Sequence, residues 1–107
     1  MIRISIKPLS VNEAYRGRRF STPKLAQFKK DVAKMLPKLE IPEGKLKATY
    51  RFGVSSKASD LDNCVKSIQD LLGECYGFND KKIYKIEMEK VDVKKGDEFV
   101  EFELSKM

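Results

Sequence analysis

The 107-residue chain contains no histidine. That absence excludes Ser-His-Asp and Cys-His nucleophile systems, histidine zinc sites and nucleases built on a histidine base. Any hydrolytic chemistry must fall to carboxylates, lysine and a hard metal ion. Cysteine is scarce as well. Cys64 and Cys75 match neither a CxxC nor a zinc-ribbon spacing, and both fall in or beside one predicted helix, so they read as reduced, half-buried core residues. No apolar run approaches the roughly 20 residues that a membrane span needs. The opening MIRISIKP lacks the apolar core of a signal peptide, so the expectation is a cytoplasmic protein with no membrane partner. Repeats, linkers and low-complexity segments are missing too.

Charge is what the chain has in quantity. Charged residues make up 36% and hydrophobic ones 41%, a balance that gives a folded domain rather than a disordered one. Residues 1–107 read as one small domain with a modest core. The net charge of +6 is unevenly placed. Residues 1–59 carry 14 Lys/Arg against 4 Asp/Glu (+10), and residues 60–107 carry 8 against 12 (−4). A basic half points to polyanions, nucleic acid above all. The competing reading is lysine used only for solubility.

Hydropathy places the elements. Ile2, Ile4 and Ile6 alternate with polar neighbours as in a half-buried strand that ends at Pro8. SVNEAYRGRRF, residues 10–20, reads as a basic loop. Thr22 and Pro23 then open a helix as N-cap and first residue, Leu25, Phe28, Val32 and Leu36 form its apolar stripe, and Pro37 stops it. Leu46, Ala48, Tyr50, Phe52 and Val54 alternate as a second strand. A helix beginning at DLDN runs to about Leu72, with Gly73 as its stop signal. A strand from about Lys82 to Val93 follows, with Tyr84, Ile86 and Met88 on one face. The turn KKGD leads to a last strand through Val100, Phe102 and Leu104. The order is β-α-β-α-β-β, an α/β domain with one mixed sheet and two helices packed on it.

The stretch DLDNCVKSIQD concentrates the candidate chemistry. Asp62, Lys66 and Asp70 share one polar stripe, opposite an apolar face of Leu61, Ile68 and Leu72. These residues admit a plain reading, in which Asp60 is a helix cap and Asp62 pairs with Lys66 on a solvated face. They also admit a catalytic one. If Asp60 and Asp62 converge at the strand-to-helix junction, two anions about 4 Å apart repel by roughly 4 kcal/mol, a cost that a divalent cation removes. Asp80, just ahead of the next strand, could add a third carboxylate. Aspartate oxygens with open water positions suit Mg²⁺ or Mn²⁺, and Lys66 could meet a phosphate bound there. In the loop, Tyr15, Arg16, Arg18, Arg19 and Phe20 interleave cations with aromatics, a pattern that grips phosphates and stacks on unpaired bases. Its plain counterpart is an exposed loop with Tyr15 and Phe20 tucked into the core.

Taken together these motifs resemble the RusA family of Holliday junction resolvases, found in bacteria and their phages. PLSVNEAYR is similar to the family's Pro-Ser-x-Asn-x-x-Tyr-Arg region. DLDNCVKSIQDLL matches its Asp-x-Asp-Asn-x-x-Lys-x-x-x-Asp-x-Leu motif, and FNDKKI matches the Asp-Asp-x-x-Ile that follows. The resemblance implies a RusA-like fold and metal-binding carboxylates at Asp60, Asp62 and Asp80, with Lys66 as the catalytic lysine. Asn63 and Asp70 would be supports of the site. It also implies a homodimer that nicks opposed strands of a four-way junction with Mg²⁺, or Mn²⁺ in its place. DNA contacts are expected from Asn12, Tyr15, Arg16, Arg18, Arg19 and Lys57, with Tyr15 and Phe20 at least partly structural. No organic cofactor is implied. The chain departs from the family in two places. SSKAS offers only Lys57 where relatives often carry an arginine cluster, and Asn79 replaces the first aspartate of the Asp-Asp pair. The rival readings are a nuclease with looser preference for flaps or forks, and a non-catalytic basic module that binds nucleic acid.

Overall fold

A computed structural model describes residues 1–16, 20–56 and 60–107. Its elements, in chain order, are β1 (Ile2–Ile4), α1 (Val11–Ala14), β2 (Tyr15–Arg16), β3 (Phe20–Ser21), α2 (Pro23–Met35), β4 (Leu46–Val54), α3 (Leu61–Tyr76), a 3₁₀ turn (Asp80–Lys82), β5 (Ile83–Asp92) and β6 (Phe99–Lys106). The main sheet has strand order β1-β6-β4-β5, and β2 and β3 form a separate small ribbon. β4 runs antiparallel to β6 and parallel to β5, so β4-α3-β5 is the crossover unit that a parallel pair requires. The expected mixed sheet with helices packed on it is what the chain forms.

The helices are built by the signals in the sequence. The Thr22 hydroxyl accepts from the Leu25 N–H and donates to the Glu13 carbonyl at 2.6 Å, capping α2 while tying it to α1. Leu25, Phe28 and Val32 of α2 and Val65, Ile68, Leu71 and Leu72 of α3 are buried against the inward face of β4, whose Leu46, Ala48, Tyr50 and Phe52 are fully covered. Ile4, Val100 and Phe102 close the core from β1 and β6. The Arg3 guanidinium lies 3.9 Å from the centroid of the Phe99 ring, and that ring fills the space where a side chain on Gly53 would have to go.

The structure corrects several expectations. Residues 10–20 are not simply a loop: Ser10 accepts from the Glu13 N–H and caps the short α1, and β2 and β3 follow. An element of four residues shows no helical period, which is why this stretch reads as loop in the sequence. α3 does not stop at Gly73 but continues to Tyr76, and Gly77, at φ 74°, ends it. Gly73 serves a different purpose. A β-carbon there would stand 2.9 Å from the Phe78 carbonyl oxygen, where the chain folds back over the helix. Of the two cysteines, both free, Cys64 is buried but Cys75 is exposed. No described helix is long and apolar enough to cross a membrane.

Candidate active site at the start of the third helix

The parallel strand β4 delivers the chain to the N-terminus of α3, and clefts at the carboxyl ends of parallel strands are where open α/β folds bind ligands. Asp60 occupies the N-cap position with extended backbone angles, yet its side chain makes no capping hydrogen bond. Among the described residues its carboxylate accepts from the Asn63 side-chain amide, at 3.3 Å, so Asn63 orients it. Asp62, in the first turn, is exposed and has no hydrogen bond or ion pair among the described residues. The aligned peptide dipoles of α3 leave about half a positive charge at this end, which attracts anions, phosphate included.

Beside them opens a cavity of about 310 Å³ lined by Lys7, Ser10, Asn12, Glu13, Asp60 and Asn63, among others. Cys64 forms part of its wall. Burial pushes the Cys64 thiol up, and so do the charges of Glu13, Asp60 and Asp62, against a weaker opposite pull from Lys90. The thiol therefore stays protonated and is no nucleophile. The same relationship shows that Glu13 belongs to this acidic neighbourhood, which the sequence reading did not anticipate. Its place beside Asn12 within PLSVNEAYR was the available signal. Glu13 is held by the Ser10 hydroxyl at 3.4 Å and by Lys24 at 3.4 Å.

Lys66 points away from this pair of aspartates. Its ammonium lies 3.3 Å from Asp70, with the two side chains 59% and 35% exposed. Asp70 and Asp80 in turn line a second cleft, of about 390 Å³, together with Tyr15, Lys29, Ser67 and Gln69. Asp80 is thus gathered with Asp70, which is two turns, about 12 Å, along the helix from Asp62. The structure sets Asn63 against Asp60 with Asp62 in the same first turn, and it places Asp80 on the wall of the second cleft rather than the first. Asn12 lines the first cavity and Tyr15 the second. Arg16 lies in β2, and Arg18, Arg19 and Lys57 fall outside the described residues.

The donor set fits a hard divalent ion in part. Two carboxylates free of cap and salt bridge, open to solvent, are what Mg²⁺ takes when it keeps several waters. No group of three or more acidic, cysteine or histidine side chains among the described residues is placed to share one ion.

The sequence signature described as Endodeoxyribonuclease RusA matches residues 7–103. The chain belongs to the RusA family. The matched span includes every candidate site residue named above. No curated protein matches the chain. RusA-family proteins are endodeoxyribonucleases that act on branched DNA junctions. In this RusA-family chain the family's Asp-x-Asp-Asn motif coincides with the uncapped helix start.

Proposed function

We propose that the protein resolves Holliday junctions and other branched DNA by divalent-metal-assisted phosphodiester hydrolysis, as a homodimer making paired nicks. The observation that carries this reading is the Asp60 carboxylate. It sits where a capping interaction is available, leaves that interaction unmade, and stands beside an unpaired Asp62 at a helix end suited to phosphate.

In this reading Asp60 and Asp62 hold Mg²⁺ or Mn²⁺, and Asn63 keeps the Asp60 carboxylate turned toward the ion. When bound, such an ion supplies Lewis acidity toward the scissile phosphate and the attacking water. Lys66 leaves Asp70 and sets its ammonium against charge developing on the phosphate or the leaving oxygen. Leaving Asp70 is cheap, because an exposed i,i+4 pair is worth only about 0.3–0.5 kcal/mol. Asp80 lines the other cleft of its own chain, so in this reading the third carboxylate comes from a second copy. A homodimer also suits the substrate, since two related cuts need two related sites. Asn12, Tyr15, Arg16, Arg18, Arg19 and Lys57 contribute the DNA surface, and the charge of the basic half supports that assignment.

A second reading is favoured by the lack of a three-acid group in a single described chain: a basic module that binds branched DNA without cutting it. One assay separates the two. A labelled four-way junction should be nicked with Mg²⁺ or Mn²⁺ and left whole in chelator, and Asp60→Asn and Asp62→Asn should abolish nicking while gel shifts show that binding persists. Binding without cleavage by the unaltered protein in either metal would establish the module. Parallel flap and fork substrates measure how strict the junction preference is.

A further inference from the structure

The cavity beside Asp60 contains a cation that has so far gone unassigned. Lys7 lines it together with the carboxylates of Glu13, Asp60 and Glu98. Among the described lining residues that is one cation against three anions, a balance of −2. Such a wall repels a DNA phosphate until positive charge is supplied. A divalent ion on the acidic side supplies part of it. Lys66 lines neither cleft, and its ammonium rests on Asp70.

Lys7 is held in place through its neighbours. Ile4 is buried at the end of β1, and the Ile6 N–H donates back to the Ile4 carbonyl at 2.9 Å, which turns the chain out of the strand. Pro8 and Leu9 are buried immediately after. Between these anchors Lys7 is exposed, so its backbone is fixed while its four-carbon stem is free to reach. The acids around it are satisfied by other groups. Glu98 accepts from the Ser55 hydroxyl at 2.7 Å and from the Gly96 N–H at 2.8 Å. The Ser55 bond and backbone N–H groups hold the Glu98 carboxyl low, and the Lys7 charge adds the smallest share. Glu13 is held by Ser10 and Lys24, and Asp60 by Asn63. Lys7 makes no ion pair or hydrogen bond among the described residues. Its side of the cavity continues with Ser10 and Asn12, neutral groups that suit phosphate and sugar oxygens.

We propose that Lys7 is the substrate-binding lysine of this cavity, its ammonium set on a non-bridging oxygen of the DNA phosphate that lies over Asp60. This deepens the proposed nuclease function, on which it rests, by giving the two lysines different roles. Lys7 holds the phosphate on arrival, as a compact point charge on a flexible stem can. Lys66 meets charge that develops only during the reaction. A contact that is equally strong before and during the reaction sets KM, whereas one made only in the transition state sets kcat.

Removing the charge from each partner tests the contact. Lys7→Ala should melt like the native protein by circular dichroism, because the side chain is exposed. In an Asp60→Asn background with Mg²⁺, where junctions stay uncut, Lys7→Ala should take about 0.9 from the slope of log K against log salt, and Lys7→Arg should restore it. Lys106→Ala, at the far end of the sheet from the start of α3, should leave the slope unchanged. A methylphosphonate, which neutralises one phosphate, is then moved through the positions around the branch point. At one position it should weaken binding by the protein that retains Lys7 and leave Lys7→Ala binding unaltered. In cleavage by the otherwise native chain, Lys7→Ala should raise KM about tenfold or more and hold kcat within about twofold. An unchanged slope, an equal loss from Lys106→Ala, or methylphosphonate effects that all survive Lys7→Ala would overturn the assignment. Cleavage with KM unchanged in Lys7→Ala would keep the nuclease function and remove Lys7 from it. A protein that never cuts, yet loses slope and the methylphosphonate effect with Lys7, would keep the contact and remove the nuclease function.

Discussion

The Lys66 ammonium rests 3.3 Å from Asp70, one turn further along α3 in the direction away from Asp62. Both partners are partly exposed, so the pair contributes little to stability. Asp70→Asn should accordingly change the unfolding free energy by no more than about 0.5 kcal/mol and leave most cleavage intact. Lys66→Ala should lose most cleavage while calorimetric titration finds Mn²⁺ binding unchanged. An inactive Asp70→Asn protein with an active Lys66→Ala one would reverse the two assignments.

Subunit mixing reads out where Asp80 acts. Asp60→Asn and Asp80→Asn should each be inactive alone. If the site is shared, a dimer with one chain of each kind has one site with both defects and one with neither. Random exchange makes about half the dimers mixed, so the mixture should recover about a quarter of the native sites, and these should nick one strand rather than resolve the junction. A mixture as inactive as its components would place Asp80 outside the shared site.

Tyr50 gives a signature at alkaline pH. Its hydroxyl donates to the Gln69 side-chain oxygen at 2.9 Å, and burial, then Asp70, holds its ionisation well above the ordinary tyrosine range. The unfolded chain ionises this group near pH 10 and the folded one does not, so its contribution is complete below about pH 10 and declines as pH rises past it. Tyr50→Phe should cost about 1 kcal/mol near neutrality, where Gln69 loses its donor. Thermal melts should show the gap to the native protein narrowing above about pH 10. A constant gap would mean that Tyr50 is not held neutral by the fold.

Ser67 Oγ is buried in α3 with no hydrogen-bond partner. Ser67→Ala removes an unsatisfied polar group and adds helix propensity, so stability should stay level or rise by about 0.5–1 kcal/mol in denaturant titrations. A loss of more than about 1 kcal/mol would reveal a hydrogen bond that this hydroxyl makes in solution.

The long elements were legible because their apolar residues repeat at one period. Leu46 to Val54 alternates through a whole strand, and Leu61, Val65, Ile68 and Leu72 keep to one helical face, so each could be read locally. The end of α3 was misread because a glycine carries two meanings. Gly73 accommodates the Phe78 carbonyl, a contact that only the fold creates, while Gly77 has the positive φ of a true stop. The same limit applied to the candidate site. Asp60, Asp62 and Asn63 are neighbours in sequence and meet on one helix turn. Asp80 could be assigned to them only by motif, because its position depends on how α3 and β5 are arranged in space. Glu13 was missed for the same reason, since nothing in the chain order announces that α1 packs beside the start of α3.

The unused cap at Asp60 sets local folding preference against chemistry. A side chain that satisfies the free N–H groups of a helix start typically adds about 1 kcal/mol of stability. Asp60 has the right oxygen in the right position and withholds it. Replacing it with serine, which is short enough to cap and carries no charge, should therefore raise the melting temperature while abolishing any function that needs the carboxylate. Selection for thermostability alone would be expected to find this substitution early, and a library ranked by stability would discard the active sequence.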